Sequence, residues 1–285
     1  MLRIFSYFFQ SIFIYVFFFI ALILGIKISR KIFSLIFLLI GPTFRSEKII
    51  NKNLEIFSSK VNNINKDAIK NEMWKNYGMT FVEYIFLNQF KKNNSHIIFM
   101  GEENLIDMEK KKKPVIFVSG HFANFELMSM EITRRKIKLA TIYRPLNNLF
   151  LNPFMEFLRK KYVCGNQIKK GINGVREAIE YLKKDYSIAL MIDQRVSEGE
   201  KISFFGKSAL TTTLPAQLSI KFNLNIVPVS IQRTRENKFI IEFHKPITDN
   251  KNKNKIDLSE ELNRCLEKMV TKNPGQWIWS HNRWK

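Results

Sequence analysis

Apolar side chains run from Ile4 to Ile26 without a charged residue. At about 1.5 Å per residue, this stretch would form a helix long enough to cross a hydrocarbon core of about 30 Å. A secretory signal peptide is the alternative, but its apolar region would be shorter and would end in a small-x-small cleavage site, which this sequence lacks. Arg3 is the only cation before the stretch, whereas three cations lie within residues 27–31. The pattern therefore predicts a transmembrane anchor at residues 1–27 and a cytoplasmic body.

The next part of the chain, residues 28–96, has the pattern of membrane-proximal helices. Residues 32–44 are apolar but too few to span a bilayer, which predicts an interfacial or core-packed helix that stops at Gly41-Pro42. Amphipathic helices are predicted at about 46–60 and 66–90. The second of these carries an aromatic stripe at helical spacing, which is more typical of a packed face than of a ligand site.

From residue 97 to residue 285, short apolar runs alternate with segments of helical length. The predicted strands are 114–119, 138–143, 187–192, 226–232 and 238–243, and the predicted helices are 124–136, 147–161, 172–184, 213–223 and 257–272. Short apolar strands separated by helices are typical of a parallel sheet covered on both faces. We therefore expect an α/β domain with a mixed, largely parallel sheet flanked by helices. The last two strands are expected to form an antiparallel hairpin at an edge.

Charge narrows the class of partner. The 285 residues carry a formal net charge of +21. Lys, Asn, Ile and Phe are enriched together, as AT-rich codons would produce, so coding bias accounts for part of the Lys excess. The charge still favours polyanionic partners. Because the sequence has an apolar N-terminus and no nucleic-acid-binding motif, anionic lipid or an acidic carrier protein is favoured over nucleic acid. Cys164 and Cys265 match no metal-ligand spacing and fit a reducing compartment.

A histidine and a carboxylate follow a buried apolar run in the segment Gly120–Glu126. His121 would lie at the carboxyl end of a strand, which is where α/β sheets bind ligands. A carboxylate on one ring nitrogen would fix the tautomer of His121 and leave the other nitrogen as a general base. Glu126 is the nearest carboxylate, and Asn124 is placed to cap the following helix. Alone, this pair fits a structural role, but its place at a strand end behind a membrane anchor favours catalysis.

The same segment resembles the H-x4-D/E motif of the glycerolipid acyltransferase superfamily. In its H-x4-E form it resembles the late acyltransferases of lipid A biosynthesis, of the lauroyl/myristoyl transferase type. The resemblance extends along most of the chain through an ordered set of further motifs: Trp74-Lys75-Asn76-Tyr77-Gly78 with Glu83, Tyr143-Arg144-Pro145 with Asn147-Asn148, Asp193-Gln194, Phe204-Phe205-Gly206 with Ala209 and Thr211-Thr212, and Gln276–Lys285.

The resemblance implies a role for each candidate residue. His121 would deprotonate an acceptor hydroxyl, and Glu126 would orient it. A cation is needed at the oxyanion of the tetrahedral intermediate, for which the family's essential arginine corresponds to Arg159; Arg144 is the second candidate. Asp193 is expected to join the catalytic set at the end of its strand. Substrate contacts are expected from Arg144, Asn124 and Gln194, and an apolar groove beside His121 from Phe122 and Phe125.

The resemblance also implies the substrates and the place of reaction. The acyl donor would be a thioester on acyl carrier protein, the acceptor a phosphorylated lipid A precursor, and the site the cytosolic face of the bacterial inner membrane, held by a single transmembrane pass. The sequence contains no G-x-S-x-G elbow, so a serine hydrolase is not expected. It contains no G-x-G-x-x-G after a strand and no H-E-x-x-H, so no metal ion or soluble cofactor is expected.

Two alternatives to a lipid A acyltransferase stay open at this level. One is an acyltransferase of the same superfamily that acts on a glycerophospholipid or another glycolipid. The other is a non-catalytic, membrane-anchored protein that binds anionic lipid. The sequence does not determine the acyl-chain length, the acceptor hydroxyl, coenzyme A against acyl carrier protein as donor, or the oligomeric state.

Overall fold

The computed structural model describes residues 2–105 and 113–285. Its α-helices α1 to α9 are, in order, Leu2–Phe44, Glu47–Ser58, Lys66–Glu83, Leu87–Lys92, Glu126–Arg134, Asn152–Leu158, Ile172–Lys183, Leu214–Phe222 and Lys255–Lys272. Its strands β1 to β9 are Ile97–Met100, Ile116–Ser119, Leu139–Tyr143, Asn166–Lys169, Ser187–Met191, Glu200–Phe204, Lys207–Thr211, Ile226–Arg233 and Phe239–Phe243. A 3-10 turn, Tyr84–Phe86, joins α3 to α4, and a π-turn, Arg159–Val163, follows α6.

A seven-stranded sheet in the order β1-β9-β8-β2-β5-β3-β4 forms the centre of the fold. All neighbouring strands are parallel except β8 and β9, which are antiparallel. The predicted α/β class and its mixed, largely parallel sheet are thus confirmed. The five predicted strands are all present, and the central strand β2 is buried throughout, as its uninterrupted apolar sequence requires.

The edges of the sheet differ from the prediction. The β8–β9 hairpin is antiparallel as expected, but it is not at an edge, because β1 pairs in parallel with β9 and covers it. The opposite edge is β4, which has the polar sequence Asn-Gln-Ile-Lys. The separate β6–β7 hairpin was not predicted either. Strands β4, β6 and β7 lack an uninterrupted apolar run, so hydrophobic periodicity does not reveal them. Strand β1 does have such a run, Ile97–Met100, and was missed.

Helix α1 consists of two helical segments that meet at Gly25. That residue has φ 73° and ψ 163°, outside the helical region and readily reached only by glycine. The first segment, residues 2–24, corresponds to the predicted anchor. The second, residues 26–44, runs past the predicted stop at Gly41-Pro42 to Phe44. Among the described residues, α1 is the one helix long and apolar enough to cross a membrane.

The second segment of α1 packs closely on α3. A Cβ at Gly78 would lie 2.2 Å from the Phe33 carbonyl oxygen, and one at Gly41 would lie 2.4 Å from the Trp74 ring. Only glycine therefore permits this approach at either position. The two glycines bring the helix that follows the anchor into contact with the body of the protein.

The first segment of α1 also touches the body along one face. The Ser11 hydroxyl donates to Asn148 Oδ1 at 2.9 Å, and the Tyr15 hydroxyl donates to the Phe150 carbonyl at 2.9 Å. Ser11 and Phe18 are buried, whereas large apolar side chains around the rest of the segment are exposed: Ile4, Phe5, Phe9, Ile12, Phe13, Val16, Phe19, Ile20, Leu22 and Ile23. One face of the helix thus packs on the body and the others present apolar surface.

The helical lead-in and the α/β part share one hydrophobic core. Leu54 and Phe57 of α2 and Trp74 of α3 belong to the same buried cluster as strands β2 and β5. The C-terminal Trp277 and Trp279 lie in this cluster at 1% and 0% exposure, so they pack in the interior.

Candidate active site

His121 is held by Asp193 at the carboxyl edge of the sheet. His121 follows β2 and Asp193 follows β5, and because these strands are parallel neighbours their ends meet. His121 Nδ1 lies 2.7 Å from Asp193 Oδ1, and the His121 backbone N–H donates to Asp193 Oδ2 at 2.8 Å. Two contacts from one carboxylate fix both the backbone and the ring of His121.

Asp193 is 2% exposed and receives a third hydrogen bond, from Trp277 Nε1 at 2.9 Å. Burial by itself would raise its pKa, but the His121 imidazole and the donated hydrogen bonds outweigh burial and lower the pKa to about 2. Asp193 is therefore an anion at neutral pH. An anion at Nδ1 holds the proton on that nitrogen, which leaves Nε2 with its lone pair free to accept a proton.

Among the described residues, the Glu126 carboxylate bonds to Tyr84 and Arg159 and makes no hydrogen bond to His121, contrary to the sequence-based expectation. Helix α5 begins at Glu126, and its carboxylate accepts from Tyr84 Oη and from Arg159 Nε, each at 2.7 Å. The loop of residues 121–125 carries the imidazole toward the end of β5, and the carboxylate of Glu126 points toward the 3-10 turn after α3 and the π-turn after α6. Asp193, 72 residues away in sequence, takes the place next to the ring that proximity along the chain had suggested for Glu126.

Arg159 is buried, with 9% exposure, at the start of the π-turn after α6. Its Nε binds Glu126 and its Nη2 donates to Tyr84 Oη at 3.1 Å, whereas Nη1 is buried without a hydrogen-bond partner among the described residues. Burial opposes the charge, but Glu126 and Tyr84 outweigh it and raise the pKa of Arg159 above its ordinary value. A permanently charged group with one unused donor can bind an oxyanion.

The loop between His121 and Glu126 has a strained backbone that its neighbours hold in place. Ala123 has φ 42°, a left-handed conformation that costs a non-glycine residue energy. Its carbonyl accepts from Thr80 Oγ1 at 2.9 Å, and its N–H donates to the Gln276 carbonyl at 3.1 Å. Helix α3 and the C-terminal segment thus clamp the loop that carries His121.

A buried ionic cluster lies beneath this loop. Glu83, with 0% exposure, accepts from Arg30 Nε at 2.6 Å, from Arg233 Nη2 at 3.0 Å and from Asn124 Nδ2 at 2.9 Å, and Arg233 Nη1 also bonds to it. Burial would raise the pKa of Glu83, but the two arginines prevail and lower it. The cluster joins α1, α3, β8 and the His121 loop. Asn124 contributes to it and does not cap α5 with its side chain.

The remaining predicted residues lie in different environments. Phe125 packs edge-on against His121, with 4.7 Å between ring centroids, whereas Phe122 is 2% exposed in the main core. Gln194 is half-buried next to Asp193. Arg144 is exposed at the end of β3, two strands from His121. Within residues 2–105 and 113–285, no group of three or more His, Cys, Asp or Glu side chains is placed to hold a metal ion.

Residues distant in sequence support the site, although no catalytic or binding role was predicted for them. Tyr84 bonds to both Glu126 and Arg159, and Trp277 bonds to Asp193. Gln276 accepts from the Arg233 N–H at 2.7 Å and donates to the Arg233 carbonyl at 2.8 Å. Trp277 and Gln276 belong to a motif that carried the family resemblance. Tyr84 directly follows Glu83 and belongs to the aromatic stripe, which had been interpreted as a packed face.

A histidine held by a buried carboxylate, together with a buried arginine that bonds to Glu126 and keeps an unused donor, is an arrangement suited to group transfer onto a hydroxyl. The sequence model of the bacterial lipid A biosynthesis acyltransferase family matches residues 1–285. The chain belongs to that family and is an acyltransferase.

Two relatives with related names are similar to most of this chain at 24% identity. The lipid A biosynthesis palmitoleoyltransferase of Escherichia coli (strain K12) is 24% identical over 249 residues, which cover 85% of this chain and 79% of the relative. The lipid A biosynthesis acyltransferase of Shigella flexneri matches with the same identity and coverage.

Proposed function

We propose that this protein transfers a fatty acyl chain from acyl carrier protein to a hydroxyl of a lipid A precursor, with His121 as the general base. The observation that carries the proposal is the contact between His121 Nδ1 and the buried Asp193 carboxylate, because it leaves Nε2 as the basic nitrogen at the carboxyl edge of the sheet. The family to which the chain belongs supplies the acceptor class.

In the proposed reaction, His121 Nε2 takes the proton of the acceptor hydroxyl as the oxygen attacks the thioester carbonyl. The C–O bond forms, and the carbonyl electrons move to oxygen to give a tetrahedral oxyanion. Arg159 Nη1 donates to that oxygen, while Glu126 and Tyr84 hold the guanidinium in position. When the intermediate collapses, the C–S bond breaks. His121 then gives its proton to the departing thiolate, which leaves as a thiol.

The basic surface supports an acidic protein as the donor. A carrier that presents its thioester on a flexible arm would be attracted to a chain of net charge +21, and attraction of this kind raises association rates. The phosphate groups of the acceptor would benefit from the same field.

The direct test is acyl transfer by purified wild-type protein and His121→Ala. We expect the wild type to acylate a hydroxyacylated lipid A precursor from acyl carrier protein, and His121→Ala to lose almost all activity while folding normally, because the base is gone. Lysophosphatidic acid tests the alternative acceptor, and acyl–coenzyme A tests the alternative donor. Preference for lysophosphatidic acid would contradict the proposed acceptor, and retained turnover in His121→Ala would contradict the proposed base.

Arg159→Ala should lower kcat by about 10²- to 10³-fold, the cost of removing one donor from an oxyanion. Lys160→Ala is the matched control, because Lys160 is the next residue and is exposed. Initial rates at saturating donor and acceptor measure the effect. Unchanged turnover in Arg159→Ala, or an equal loss in Lys160→Ala, would reject the assignment.

We also propose that residues 4–26 cross the inner membrane once and leave the body on the cytosolic face. The uncharged length of this segment and the cations that follow it support this orientation. Because Ser11 and Tyr15 lie near the middle of this segment, their bonds to Asn148 and Phe150 would carry that loop into the bilayer if the segment crosses it. A cysteine tag fused before Met1 should react with a membrane-impermeant maleimide in intact spheroplasts. Reaction only after lysis would mean that the helix lies in one leaflet.

A further inference from the structure

Positive charge without close ion-pair partners lies near the catalytic edge, at the ends of β3 and β4. These strands are parallel, and Tyr143 is paired with Lys169, so the next residues along each strand, Arg144 and Lys170, are neighbours. A cavity of about 700 Å³ opens beside them, between β4 and the start of α7. Lys169, Lys170 and Arg176 line it, with Glu177 as the one acidic side chain in its wall.

These cations have few anionic partners within the protein. Lys169 makes a long contact of 3.7 Å with Glu156, while Arg144, Lys170 and Arg176 form no ion pair with any other described residue. Partial burial and the nearby Arg144 guanidinium lower the pKa of Lys170. The positive charges outnumber the nearby carboxylates, which are Glu177 in the cavity wall, Glu156 beside Lys169 and Glu198, whose charge acts on Lys170. An anion is attracted to such a cluster because it relieves the remaining repulsion.

The start of α7 adds backbone donors to the same cavity. Gly171 precedes the helix with φ 138° and provides no side-chain cap, so the first N–H groups of α7 are not satisfied by a capping side chain. A Cβ at Gly174 would lie 2.0 Å from the Lys169 carbonyl oxygen, so the helix start fits directly against the end of β4. A helix N-terminus next to cationic side chains in a cavity is a favourable environment for phosphate.

The cavity lies on the same edge of the sheet as His121. Strand β4 is three neighbours from β2, which corresponds to a lateral separation of about 14 Å. A phosphate bound here would be separated from the base by about this distance along the sheet edge. A glycolipid that carries its phosphate on a sugar and its reacting hydroxyl on an attached acyl chain can span such a separation.

We infer that Arg144, Lys170, Arg176 and the start of α7 form a phosphate-ester site that positions the acyl acceptor against His121. The assignment rests on the proposed acyltransferase function for the identity of the substrate. The phosphate-binding chemistry rests on the cavity, its charges and its backbone donors alone. The phosphopantetheine arm of the donor carries the same chemical group, so the experiment must separate acceptor from donor.

The test is the double variant Lys170→Gln/Arg176→Gln, with Lys183→Gln/Lys184→Gln at the other end of α7 as a control of equal charge change. With a phosphorylated lipid A precursor, KM for the acceptor should rise about 10- to 100-fold in the first variant. Its kcat and the KM for acyl carrier protein should stay unchanged, and the control should match the wild type. With the same acceptor stripped of phosphate by phosphatase, the difference between wild type and variant should disappear.

A second measurement separates failure of this site from failure of the proposed function. Equilibrium binding of the phosphorylated precursor in detergent micelles, without donor, needs no turnover and should weaken by the same factor in Lys170→Gln/Arg176→Gln. A rise in the donor KM alone would assign the site to the phosphopantetheine arm and overturn its role in acceptor binding. Equal affinities and equal KM values in both double variants would overturn the site altogether.

Discussion

Asp193→Asn is expected to reduce acyl transfer by about 10³- to 10⁴-fold with little change in the fold. The asparagine keeps the shape of the side chain, and its amide oxygen can still accept from the His121 N–H and from Trp277. Its amide group would then face His121 Nδ1 as a donor. The ring would have to move its proton to Nε2, and the basic nitrogen would be lost.

The measurement is kcat for wild type and Asp193→Asn at saturating substrates, with circular dichroism to verify folding. Asp185→Asn, at an exposed turn just before β5, is the matched control and should keep full activity. This substitution also discriminates between the two carboxylates considered for the site. If Asp193→Asn retained activity, Asp193 would be a structural partner of His121 and not the residue that sets its tautomer.

Glu83→Gln is expected to have the largest effect on stability, about 3–5 kcal/mol of the free energy of unfolding. Glu83 is completely buried between Arg30 and Arg233, which are themselves 8% and 5% exposed. Removing its charge leaves two buried guanidinium groups without a counter-ion, and a broken buried ion pair costs this much. The loss should also reach the active site, because Glu83 binds Asn124 of the His121 loop.

Urea denaturation in detergent, followed by tryptophan fluorescence, measures this change. Glu47→Gln is the control, because Glu47 makes only a surface contact of 3.5 Å with Lys70, and such pairs are worth at most about 1 kcal/mol. A loss below 1 kcal/mol in Glu83→Gln would mean that the cluster does not hold α1, α3 and β8 together.

The sequence was sufficient to predict those elements that have a continuous apolar pattern of their own. Strand β2 continues an apolar run from Val115 to Val118, and residues 4–24 of α1 are uncharged, so both elements were predicted with their types. Strand β4 and the β6–β7 hairpin are stabilised by pairing with neighbours, which no local periodicity records. The edge position of the β8–β9 hairpin was wrong for the same reason, since β1 arrives from more than 100 residues upstream.

The candidate site shows the same division. His121, Glu126, Arg159 and Asp193 were all selected from motifs and strand ends. The carboxylate that pairs with His121 was not predicted correctly. The sheet decides this pairing, because the parallel strand order places β5, and with it Asp193, next to β2. The supporting donors, such as Trp277, make hydrogen bonds to residues far away in sequence, and these bonds form only when the chain folds.

The measurement that tests the central claim most directly is mass spectrometry of lipid A from the source organism with and without this gene. Deletion should remove one secondary acyl chain from lipid A, and the wild-type gene should restore it. A gene that carries His121→Ala, expressed to the same level in the membrane, should fail to restore it. Lipid A of unchanged mass after deletion, or full restoration by His121→Ala, would contradict acylation of a lipid A precursor by this site.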